Sequence, residues 1–104
     1  MMEVKWTDFA AKKWQNTANK IYDEFGFIAL QKFVEQTESW QQVLSQNPQI
    51  GGLELLLIHR KKEYRSIILS KLTKLVYFIE NDCVIIANIW DTRREPLAQT
   101  RETK

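Results

Sequence analysis

One cysteine, Cys83, and one histidine, His59, leave this 104-residue chain without the material for an intramolecular disulfide or a tetrahedral zinc site, which draws its ligands from several Cys and His side chains. No metal or cofactor is therefore expected. No apolar run approaches the ~18 residues of a membrane-spanning helix, and Met1 to Trp6 lacks the basic start and apolar stretch of a secretory signal. The expected location is the cytoplasm, with no membrane partner. Repeats, linkers and low-complexity segments are also missing. What is present suits one core and leaves no room for a second: 44% of residues are hydrophobic and 27% charged. At this length folding buries roughly 65% of the surface of the unfolded chain, enough for a core without staples.

The formal charge of +2 is unevenly spread. Residues 1–59 carry five lysines against seven acids, whereas residues 60–104 carry ten basic residues against six acids. Ordinary surface asymmetry gives such a count, and so does a surface that meets a polyanion or an acidic protein.

Glu3 to Trp6 alternates and reads as a first strand, after which Thr7 can cap a helix and Asp8 suits the positive end of its dipole. Ala10, Trp14, Ala18, Ile21, Tyr22 and Phe25 form a stripe of helical spacing that Gly26 stops. A second stripe, Leu30, Phe33, Val34, Thr37, Trp40 and Leu44, runs to Asn47 and Pro48. After Gly51-Gly52 the chain turns to strands, expected at Leu53–Ile58, Glu63–Ser70, Thr73–Glu80 and Cys83–Trp90, with Asn81-Asp82 as a two-residue hairpin turn. The order predicts an α+β two-layer domain: an N-terminal strand and a helical hairpin packed on an antiparallel sheet, one face of which stays less covered. The domain is expected over 1–97, with a flexible tail at 98–104.

Glu63-Tyr64-Arg65 opens one strand, Lys74-Leu75-Val76-Tyr77 lies in the next, and the last runs Ile89-Trp90-Asp91-Thr92-Arg93-Arg94-Glu95-Pro96. With the element order, over about residues 3–97, these resemble the RelE/ParE toxin superfamily of type II toxin-antitoxin systems. The resemblance implies a RelE/ParE-like fold and a toxin neutralised by a cognate antitoxin, with plasmid stabilisation among the roles of such pairs. One branch, like RelE, cleaves messenger RNA on the ribosome; the other, like ParE, is associated with inhibition of DNA gyrase. Carried over from the nuclease branch, Arg65, Lys74 and Arg93 match basic positions. Ile67 stands where a second strand lysine is expected, and no tyrosine or histidine follows Tyr77. Arginine stays protonated at neutral pH and makes a poor general base. The resemblance therefore implies a ParE-like toxin that acts by binding, with Arg65, Lys74, Arg93 and Arg94 meeting the target; an mRNA endonuclease using Arg65, Lys74 and Arg93, or a degenerate binding module without toxicity, are the alternatives.

Other residues have plainer readings. Trp90 ends an aliphatic strand and reads as core. Arg60-Lys61-Lys62 reads as a solvated loop, His59 as a strand-end residue, and Cys83 as a small apolar filler. One of Arg93 and Arg94 can pair with Asp91 or Glu95 as readily as with a target.

Overall fold

The computed structural model describes residues 1–94 and 96–103. Strand β1 (Glu3–Trp6) leads into helices α1 (Asp8–Phe25) and α2 (Phe27–Gln46). There follow β2 (Gly52–Leu53), a 3₁₀ turn at Leu55–Leu57, β3 (Arg65–Ser70), β4 (Thr73–Glu80), β5 (Cys83–Asp91) and a short α3 (Pro96–Glu102). The strands form one sheet in the order β1-β5-β4-β3-β2. Strands β2 to β5 pair antiparallel, but β1 lies parallel to β5. The α+β class is as expected and the sheet is mixed rather than antiparallel, because the helical hairpin and three intervening strands bring β5 back beside β1 in the same direction.

Local chemistry sets the boundaries. The Thr7 hydroxyl accepts a hydrogen bond from the Ala10 amide at 3.0 Å and caps α1. Gly26 takes a φ of 89°, a left-handed conformation that ends α1 and lets α2 begin at the next residue. Asn81 and Asp82 both take positive φ, 52° and 60°, as the mirror-image turn favoured by the twist of a hairpin requires. Asn and Asp tolerate that region without a glycine.

The helical pair packs on one sheet face around Phe33, Leu44, Leu75, Tyr77, Ile86 and Ile89. Ala10 and Ala18 are small enough to let α1 approach closely, and Trp14 stacks on Phe33 at 5.4 Å while its indole N–H donates to Thr37. Tyr22 and Phe25 belong to the expected stripe but stand exposed toward the hairpin tip.

Two segments differ from their sequence reading. Only Leu53 of the expected strand 53–58 pairs in the sheet, opposite Arg65. The Glu54 carboxylate accepts from the Leu56 amide and diverts the chain into the 3₁₀ turn, a side chain competing with the ladder for a backbone donor. The stretch after residue 97 is helical rather than a loose tail. Pro96 starts α3, where its missing N–H costs nothing. Gln99 and Thr103 are buried, and the Thr103 hydroxyl accepts from Asn88 at 2.9 Å and Trp90 at 3.3 Å. Arg60 donates to the carbonyls of Thr100 and Thr103 at the C-terminal end of α3, where helical acceptors run short of backbone donors. The second sheet face thus holds its own apolar cluster of Leu57, Tyr64, Val76, Phe78 and Trp90. Trp90 is 1% exposed, which bears out its reading as core. Thr103→Val leaves the Asn88 amide buried without its acceptor, and we expect a loss of about 1–3 kcal/mol in chemical denaturation; an unchanged midpoint would mean that α3 does not dock.

Candidate functional site

Arg65 and Lys74, the two strand cations, stand on opposite faces of the sheet. Arg65 pairs across from Tyr77 on the helix-covered face, where it donates to the Gly51 carbonyl at 2.7 Å and to Glu63 at 3.1 Å. It thereby pins the loop that follows α2. Lys74 pairs across from Trp90 on the other face, its ammonium 2.7 Å from Glu54 and 5.4 Å from the Trp90 ring centre. Glu54 is 5% exposed. Burial pushes its carboxyl upward, but the Lys74 hydrogen bond, the Leu56 amide, the Lys74 charge and the Ser66 hydroxyl together hold it below the ordinary 4.5. The group's folded pKa is depressed, so its contribution to stability is present above about pH 4.5 and is lost as pH falls through the lower folded value.

Arg93 and Arg94 follow β5. Arg93 meets Asp91 at 3.2 Å, and Arg94 meets Glu102 at 2.7 Å. Burial raises the Asp91 carboxyl, but hydrogen bonds from the Arg93 side chain and amide hold it below its usual value, so it stays ionised at neutral pH. Glu95, the other partner expected from sequence, lies outside the described residues. These pairs are at the surface, where such contacts are worth about 0–1 kcal/mol and exchange readily for a partner's charge.

The arginines do not stand alone. A cleft of about 430 Å³ opens where α1 and α2 face the β3–β4 turn and the end of β5. Lys13, Lys20, Lys32, Lys71, Arg93 and Arg94 line it, against Glu24 and Asp91. Its apolar lining includes Ile21, Phe25, Ala29 and Leu72. The four cations expected to meet the target do not share one patch: Arg93 and Arg94 line this cleft beside four lysines, whereas Arg65 and Lys74 lie on opposite faces of the sheet. Three of those lysines look like ordinary helix-surface charges in the sequence. The spacing of Lys13 and Lys20 puts them two turns apart on one side of α1, the only signal available without the fold.

The cleft gathers six cations around two carboxylates, Glu24 and Asp91. Among the described residues no His or Tyr lines it. Tyr77 is fully buried, its hydroxyl donating to Pro48 at 2.7 Å and accepting from Gly51 at 2.9 Å. His59 is exposed in the loop after the 3₁₀ turn. Among the described residues no three His, Cys, Asp or Glu side chains cluster as metal ligands, and no helix is long and apolar enough to cross a membrane.

A five-stranded sheet with a long helical hairpin on one face and a short C-terminal helix defines the class as an α+β two-layer fold. Its particular form is ParE-like. A solved chain of the chromosomal ParDE TA system from P. aeruginosa superposes with a TM-score of 0.63 at 22% identity, over 89% of this chain and 98% of that one. No family model and no curated protein matches the sequence.

Proposed function

We propose that the protein is the toxin of a type II toxin-antitoxin pair, ParE-like in action, which inhibits DNA gyrase by binding and is neutralised by a cognate antitoxin. The observation that carries the reading is the fold likeness to a chain of the ParDE TA system over nearly the whole of both chains. The chemistry of the cleft favours binding over catalysis. Messenger-RNA cleavage needs a base for the ribose hydroxyl, charge stabilisation and an acid for the leaving oxygen. Arg65 and Lys74 engage own-chain partners on opposite sheet faces, and Arg93 has Asp91 beside it. In this reading Arg93 and Arg94 contact the target, and Arg65 and Lys74 hold the scaffold.

Induced expression tests it. The expected result is arrested growth with broken chromosomal DNA, relieved by co-expressing a short amphipathic reading frame encoded beside this one. Arrest with intact DNA and halted translation would favour the nuclease reading instead, and growth without arrest would favour a binding module that has lost toxicity.

A further inference from the structure

We infer that the turn after β2, with Leu55, Leu56 and Ile58 outermost and Lys61 and Lys62 next in the chain, docks on the surface of an anionic lipid bilayer. The inference rests on this turn alone and would survive if the protein proved not to be a toxin. It departs from the expectation of no membrane partner, which rests on the lack of a spanning segment and does not bear on a protein that lies on a bilayer.

Three observations choose this occupant. The first is the exposed apolar ridge. Leu55, Leu56 and Ile58 are 74%, 46% and 52% exposed, while Leu57 among them is buried in the cluster on the second sheet face. In a 3₁₀ turn side chains three apart eclipse, so Leu55 and Ile58 stand in one row with Leu56 at its side. Anchors at protein interfaces are drawn chiefly from Trp, Tyr and Arg, with Leu under-represented, and this row is wholly aliphatic. Aliphatic side chains on a projecting turn suit a fluid apolar layer that closes around them.

The second is the backbone. Polar groups that enter lipid must find their partners within the protein. Here the amides of Leu57, Ile58 and Arg60 donate to the carbonyls of Glu54, Leu55 and Leu57, and the Leu56 amide donates to the Glu54 carboxylate. The third is charge. Residues 53–65 carry Arg60, Lys61, Lys62 and Arg65 against Glu54 and Glu63. Both acids are met by cations, Glu54 by Lys74 and Glu63 by Arg65. Lys61 enters no ion pair among the described residues. Lys62 meets Glu80 only at 3.6 Å, with both side chains about half exposed, a contact that exchanges readily for a headgroup phosphate. Cations beside an apolar insertion are the arrangement that anionic lipid strengthens.

The test is co-sedimentation of the whole protein with vesicles, one set of phosphatidylcholine alone and one containing about a third phosphatidylserine. The protein should sediment with the anionic vesicles, less as salt rises, and about tenfold or more weakly with the neutral ones. The double variants Leu55→Ser, Ile58→Ser and Lys61→Gln, Lys62→Gln should each weaken binding to the anionic vesicles by about tenfold or more. Leu55 is the most exposed of the ridge residues, so Leu55→Ser alone should also weaken binding while keeping the parent's denaturant midpoint. As a control, Lys5→Gln, Lys12→Gln removes the same charge from α1 and from β1, at the opposite edge of the sheet from β2, and should leave binding within about twofold. The inference is overturned if neither set of vesicles binds, which would leave the ridge to a protein partner. It is overturned equally if the Leu55→Ser, Ile58→Ser chain binds as the parent does, or if the control loses as much as the Lys61→Gln, Lys62→Gln chain.

Discussion

Lys74→Met should destabilise the folded protein by about 2–3 kcal/mol, below the upper range for breaking a fully buried pair because part of the lysine reaches solvent. The variant leaves the Glu54 carboxylate, 5% exposed, with only the Ser66 hydroxyl and the Leu56 amide as partners. Glu54→Gln in the same chain removes the stranded charge and should recover at least half of the loss, since a neutral pair of similar shape carries no uncompensated ion. The single variant should also depend less on acid: in the parent, Glu54 contributes a fall in stability as pH drops below about 4.5, and with Lys74 gone that contribution shrinks because the cation no longer holds the folded-state pKa down, while the depressed Asp91 and Glu102 keep theirs. Urea denaturation at pH 7 and pH 4 reads both effects. A Lys74→Met chain as stable as the parent would mean that the ion pair is not formed and would return Lys74 to the list of free, target-facing cations.

The second large effect is expected at Gly51. A Cβ there would lie 2.7 Å from the Tyr77 hydroxyl, 2.8 Å from the Ser66 carbonyl and 2.9 Å from a Tyr77 ring carbon. Backbone and a fully buried ring cannot both give way. Gly51→Ala should therefore cost about 1–3 kcal/mol by overpacking, and more where the displaced Tyr77 hydroxyl loses Pro48 and Gly51 as partners. The neighbouring Gly52 has nothing within 4 Å of its Cβ position, so Gly52→Ala should shift the denaturation midpoint far less. Equal effects at the two positions would place the cause in the flexibility of the loop instead of in the Tyr77 contact.

Much of the scaffold was legible because the deciding signals are local. Thr7, Gly26, Asn47-Pro48 and Asn81-Asp82 each mark a boundary through their own backbone chemistry, and the helical stripes need only spacing. What escaped depended on contacts far apart in the chain. The apolar run Leu53–Ile58 looks like a strand until Glu54 finds Lys74 twenty residues on, and the polar stretch after residue 97 looks loose until Thr103 reaches Asn88 and Trp90. The same limit governed the candidate site. Four cations in or beside apolar strands look alike in sequence, yet the alternation of β3 and β4 sends Arg65 and Lys74 to opposite faces. The cleft, by contrast, gathers residues from α1, α2, the β3–β4 turn and the end of β5, a set that no window of sequence contains.

In the proposed function the protein grips a negatively charged partner and breaks no bond. Purified protein added in parallel to a gyrase supercoiling reaction and to a translating extract addresses it in one measurement. The predicted result is loss of supercoiling with messenger RNA intact, and restored supercoiling with Arg93→Ala, Arg94→Ala. Messenger RNA cut within the ribosomal A site while supercoiling proceeds would contradict it.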